Sequence, residues 1–407
     1  MNGNEHTMNY ADQTGSHNYY QNLYNMFGGQ NPLLDKHFTS LRRLGFSAGF
    51  VMLMCILMQN VVAVFIRFTQ LSSLYASDTF YFHAISAVAQ FFYTFLPFFV
   101  LFVFSKPRER KQMNIFEMPK SKELFILAVF AGLMFCMLGN TATSVLAAVI
   151  SVFGIEFGSG MEDLAVPSGF MGILIYVINF AVLPALFEEF AFRCVILQPL
   201  RKYGDWFAIL ATSFCFAILH GNMVQIPFAF IVGIALGYFC IKTKSIWTSV
   251  TIHFLNNLFS VITTICYNEK PESSTFFYYV VTSAIVFAGA IAMVLFKLNC
   301  NVKLKKDATV MAKNKVLKRA AFVTSPALIF SIYNAIYTSL SLTRVQSAPG
   351  VLMLFGACVF ASYLLIKWIL TIRKDSRLKP RKTNTAALII TGVLTAVTVF
   401  TLFGISG

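Results

Sequence analysis

Charge is scarce in this sequence. Asp, Glu, Lys and Arg make up 12% of the 407 residues, about half of the roughly 25% typical of a soluble domain, which excludes a water-soluble globule. Alternating segments of ~10 residues, the signature of a membrane β-barrel, are missing as well. The first 40 residues hold no apolar core segment, so no cleavable signal peptide is expected. The eight cysteines are scattered, with no CxxC and no pairing pattern, and read as free buried thiols. There is no HExxH, which excludes a zincin helix. What the chain does contain is hydrophobic: 57% of its residues, with 44 Phe. These residues form runs long enough to cross a hydrocarbon layer of roughly 30 Å as helices of about 20 residues.

Eleven such segments are predicted, at 45–66, 83–104, 124–153, 169–200, 205–220, 223–241, 245–266, 275–296, 320–341, 350–372 and 384–405. The fold class is therefore all-α, a polytopic transmembrane helical bundle. A net charge of +15 could suggest a nucleic-acid partner, but the basic residues are placed otherwise. Of the 32 Lys and Arg, 27 lie in the segment up to Arg43, in loops 105–123, 201–204, 242–244 and 297–319, and in the stretch 373–382. The intervening loops hold only Arg67, Lys270 and Arg344, and loop 154–168 carries Glu156, Glu162 and Asp163 instead. This is the positive-inside pattern, with the N-terminus cytoplasmic and the C-terminus external. The charge is a topology signal, and no nucleic-acid partner is expected. The chain then divides into a polar cytoplasmic tail (1–43), three N-terminal helices (44–168), a core (169–266) and four C-terminal helices (267–407).

Few charges remain inside the spans. Lys367 is close enough to the cytoplasmic end of its span to snorkel. The others are Glu188, Glu189 and Arg193, in the stretch FEEFAFR. An ionisable side chain in a membrane helix costs about 2.5–3.5 kcal/mol on insertion scales and marks function by default. The plain structural alternative is a buried ion-pair network that fixes helix packing. Glu189 and Arg193 are four apart and face each other, whereas Glu188 lies about 100° round the helix and needs another partner. A carboxylate without a counter-ion suits a general acid or base.

Two of the six histidines complete a pattern. His6, His17 and His37 lie in the tail, and His83 is read as interfacial at the outer edge of the second span. His220 follows Phe216 by four residues, and His253 precedes Asn257 by four, so each pair shares a helix face. Singly, each is as well explained as a packing residue, and Asn as interhelical glue. Their depth joins them. At 1.5 Å per residue from the nearest cytoplasmic charge, Glu188, His220, His253 and Asn257 lie roughly 20, 22, 14 and 20 Å into the layer. Pro184 and Gly221-Asn222 mark points where helices could bend to open a cavity.

Glu188-Glu189-x-x-x-Arg193, Phe216-x-x-x-His220 and His253-x-x-x-Asn257 resemble, in order, the three motifs of the CPBP intramembrane proteases. That family includes the CAAX prenyl endopeptidases of the Rce1 type and bacterial proteins linked to bacteriocin processing and self-immunity. The resemblance covers about 169–266 and implies an Rce1-like helical protease core. By it, Glu188 and His220 activate water, His253 and Asn257 polarise the scissile carbonyl, and Glu189 and Arg193 support them. The family is commonly called metallopeptidase. Here Glu188, His220 and His253 are the ligands available for a three-ligand zinc site with an open position. The expected substrate is a peptide or protein, lipidated or not, met in membrane lipid.

Two other readings compete. A secondary transporter also uses broken helices and midplane carboxylates, but no internal repeat and no second set of intramembrane charges is visible. A non-proteolytic immunity or binding protein would keep the same constellation for structure alone.

Overall fold

The computed structural model describes residues 32–158, 165–269, 271–312, 315–357, 359, 360 and 363. Among these, seven helices are long and apolar enough to cross a membrane. They are α1 (Pro32–Arg67), α2 (Thr79–Phe104), α3 (Lys122–Ser151), α4 (Gly169–Tyr203), α6 (Gln225–Thr243), α7 (Ile246–Glu269) and α8 (Pro271–Asn299). Between α4 and α6 stands the shorter α5 (Asp205–Leu219), and after α8 come α9 (Lys315–Val323), α10 (Pro326–Ser341) and α11 (Ala348–Ala357). The chain is a polytopic helical membrane protein.

Several boundaries differ from the sequence reading, each for a local reason. α1 begins at Pro32, not near 45: proline is at ease at the first helical position, and Asp35 in the first turn suits the helix dipole. α5 has 15 residues, about 22 Å of rise, too little to cross alone. The predicted span 320–341 is two helices, because Ser325 caps α10 by accepting from Leu328 N–H and Pro326 cannot continue α9. The predicted segment 384–405, Lys367, and residues 1–31 with His6 and His17 lie outside the described residues.

Loops gather at two ends. At one, Lys202 donates to Ser40, Asp205 pairs with Arg201 at 2.8 Å and accepts from Lys305 N–H, and Lys318 pairs with Asp307 at 3.0 Å. Ser245 and Trp247 there donate to the carbonyls of Glu117 and Phe116. At the other end a two-stranded antiparallel ladder joins β1 (Ile155–Phe157) to β2 (Thr343–Val345), with Glu156 opposite Arg344. Among the described residues, the segments rich in Lys and Arg meet at the first end, and Glu156 meets Arg344 at the second.

Packing explains how the flanking helices attach. α1 lies against α9 and α10 through Gly45 and Gly49, one turn apart, where an added Cβ would fall on the backbone of Phe322 and of Leu328. Small residues at this spacing let membrane helices approach closely. Ser331 crosses the seam to donate to the Gly49 carbonyl at 3.1 Å. On the opposite flank α3 packs on α6, α7 and α8, with Phe239, Ile252 and Phe296 fully buried between them. α4 to α7 are left in the middle.

Candidate active site

α4 carries the acidic pair and is not a regular helix. It widens into π turns over Ile178–Val182 and Phe190–Leu197, as α2 does over Phe91–Phe95. Each widening stops just before a proline: Pro184, Pro199 and Pro97. Proline has no N–H to give to the turn before it, and in each case an i→i−5 turn carries the continuous helix up to that position. Glu188 and Glu189 sit on the short α-helical stretch between two such turns.

The two glutamates have different surroundings. Glu189 is completely buried. Its carboxylate accepts from Arg193 at 2.8 Å (Nε) and 3.3 Å (Nη2), and from His253 Nδ1 at 3.1 Å. Glu188 keeps 21% of its side-chain surface, and its Oε2 stands 3.9 Å from His253 Nε2. One imidazole therefore faces both carboxylates, one from each ring nitrogen. The Glu189–Arg193 pairing follows from helix spacing. The Glu189–His253 bond joins α4 to α7 and has no signal in the sequence.

His220 closes α5. Its backbone N–H bonds Ala217, and the chain turns because Gly221 adopts φ +68°, a left-handed conformation that a side chain disfavours. Asn222 accepts from Gln225 N–H at 2.8 Å to start α6, and Ser339 of α10 donates to the Gly221 carbonyl at 3.2 Å. The His220 ring bonds the Phe216 carbonyl through Nδ1 at 2.9 Å. A carbonyl only accepts, so Nδ1 carries the proton and Nε2 keeps its lone pair. The same argument puts a proton on His253 Nδ1 facing the Glu189 carboxylate.

Phe216 is the hub. Its ring centroid lies 4.9 Å from the His220 ring, 6.0 Å from the His253 ring, 5.1 Å from Phe192 and 5.1 Å from the Arg193 guanidinium carbon. The two histidines thus lie against one aromatic side chain, on the same side of the bundle. Asn257 accepts at Oδ1 from Asn256 at 3.1 Å, which leaves its own Nδ2 hydrogens to donate. Asn256 is an addition to the predicted set. It is buried and sets the amide orientation of its neighbour.

Among the described residues no three His, Cys, Asp or Glu side chains are grouped to hold a metal ion. His253 Nδ1 bonds Glu189 and His220 Nδ1 bonds a backbone carbonyl, so Nε2 is the nitrogen left free on each ring.

His83, in the first turns of α2, is buried within the protein. Nε2 lies 3.2 Å from the Ala165 carbonyl, Nδ1 faces Asn179 Nδ2 at 3.4 Å, and Gln90 Nε2 reaches Asn179 Oδ1 at 2.5 Å. The rings of Tyr176 and Phe180 enclose it. The Ala165 carbonyl, just before α4, covers it from the loop side.

Residues 170–259 match the family described as type II CAAX prenyl endopeptidase Rce1-like. The matched stretch holds all three motifs and runs through α4, α5, α6 and most of α7. The class that this core resembles is that of the CAAX-type membrane peptidases. Among individual proteins, the one named "Putative membrane peptidase YdiL" from Bacillus subtilis (strain 168) is 27% identical over 110 residues, which is 26% of this chain and 45% of that protein. The likeness thus covers less than half of that relative. No solved structure matches.

Proposed function

We propose that the protein is an intramembrane endopeptidase in which Glu188 is the general base. The observation that carries this reading is the division of the acidic pair: Glu189 is buried between Arg193 and His253, while Glu188 pairs with no Lys or Arg among the described residues and stays partly open beside His253 Nε2. Glu188 takes a proton from water as the oxygen attacks the scissile carbonyl carbon. His220, with its Nε2 lone pair, shares the orientation of that water. Asn257 Nδ2 donates to the developing oxyanion. His253 is a second donor to that oxygen when its Nε2 also carries a proton. The C–N bond then breaks and the proton on Glu188 passes to the leaving amine.

The basic end of the bundle faces the cytoplasm, on the positive-inside rule. The substrate is a peptide segment presented in the membrane, with a prenylated C-terminus as the form the matched family suggests. A transporter is disfavoured because the intramembrane charges of the described residues all belong to one site.

The test uses purified protein in liposomes with a prenylated C-terminal peptide and its unprenylated twin. Cleavage by wild type and loss in Glu188→Gln is the expected result. Cleavage unaffected by Glu188→Gln overturns the assignment, and no cleavage of any membrane peptide favours the binding-protein reading. Loss with a chelator and recovery with zinc would identify a metal enzyme.

A further inference from the structure

The buried group of His83, Gln90 and Asn179 takes no part in that chemistry, yet it adjoins the helix that carries Glu188. Its place is explained by a backbone detail. In the π turn before the acidic pair, Leu183 N–H bonds Ile178, five residues back. The next carbonyl, Asn179, would be served in the same register by residue 184, which is Pro184 and has no N–H. Inside a membrane such a carbonyl must find another donor. Gln90 of α2 supplies it: its Nε2 lies 2.9 Å from the Asn179 carbonyl and also reaches the Asn179 side chain. Asn179 in turn meets His83, which is held by Ala165. α7, the helix of His253, packs against both this π turn and the Glu188 stretch.

We infer that Gln90 is a positioning residue for Glu188: by satisfying the Asn179 carbonyl it holds the π turn, and the turn sets the rotation at which Glu188 meets His253. A helix that relaxed to i→i−4 bonding here would lose the extra residue per turn and rotate the acidic pair relative to α7. The catalytic side of this inference rests on the reading of Glu188 given above. Gln90 lies outside the stretch matched to the peptidase family.

The decisive comparison uses Gln90→Met, similar in length but without a donor, alone and with Pro184→Ala, which returns an N–H to the residue that can serve Asn179. Geometry is read without any peptidase assay. Cysteines at 188 and 253 are cross-linked by a short bismethanethiosulfonate, and the linked peptides are quantified by mass spectrometry. Cross-linking should fall in Gln90→Met and return when Pro184→Ala is added. Unchanged cross-linking overturns the inference, as does a fall that Pro184→Ala does not reverse. Should Gln90→Met fail to fold, recovery of folding by Pro184→Ala supports the inference and no recovery overturns it. Where the native chain cleaves peptide, kcat of folded Gln90→Met should drop about 10–100-fold with KM little changed, and recover in the double variant. A structural role alone lowers the thermal midpoint and leaves kcat per folded molecule intact. If the wild type cleaves nothing, the peptidase reading fails while the cross-linking result stands.

Discussion

Two buried polar groups line α4, and they differ in kind. Around His83, every partner is neutral and the hydrogen bonds run in a chain: Gln90 to Asn179, Asn179 to His83, His83 to the Ala165 carbonyl. Around His253, charges accumulate, two carboxylates share one imidazole, and Glu188 keeps access to the outside of the helix packing. Burial of polar atoms is common to both and does not distinguish them. What marks the second group is an ionisable side chain that the protein leaves without a strong partner, at a cost the fold has to carry.

The largest expected effect tests that contrast at its centre. Glu188→Gln should cut peptide cleavage by roughly 10²–10⁴-fold and leave the thermal midpoint in detergent unchanged. Unfolding of that variant would mean that Glu188 is structural like its neighbour.

Glu189→Ala should fail differently. It strands the Arg193 guanidinium, which is completely buried, and breaking such a pair costs about 3–5 kcal/mol in soluble proteins. Stability and activity should both drop, as thermal unfolding beside cleavage would record. Combining Glu189→Gln with Arg193→Met should restore part of the stability, because neither charge is then alone. Activity should stay low, since His253 loses the carboxylate that orients it.

A smaller effect is expected far from both groups. Gly49→Leu puts a side chain where α1 meets the backbone of α10, and overpacking of this sort costs about 1–3 kcal/mol. Thermal stability should fall while the kcat of folded protein stays close to wild type. A kcat loss would show that α10 acts on the site through Ser339 and the Gly221 turn.

The smallest change belongs to the neutral group. His83→Gln keeps a donor for the Ala165 carbonyl and an acceptor for Asn179, so stability should move by no more than about 1 kcal/mol. A larger shift in thermal unfolding would erase the distinction between the two groups.

Local spacing made part of this legible beforehand. Glu189 and Arg193 had to face each other because four residues return to one face of a helix, and Asn257 had to follow His253 for the same reason. Proline at 184 announced an irregularity, though its form as a π turn, and the two others like it, depended on how α2 and α4 were packed. The short α5 was taken for a span because its composition is apolar. Its end at Leu219 is set by the Gly221 turn, whose position in depth composition does not encode.

The sequence by itself determined a helical membrane protein, the alternation of basic and acidic loops, and an acidic pair with two histidine motifs at similar depth. Those properties are sums over single segments: hydropathy, charge and period. Only the tertiary structure decided that His253 bonds Glu189 and faces Glu188, that Phe216 gathers both imidazoles, and that His83 lies buried under Ala165. Contacts between helices depend on the rotation of each about its axis. That rotation is fixed by packing at glycine seams and by π turns, neither of which a helix carries alone.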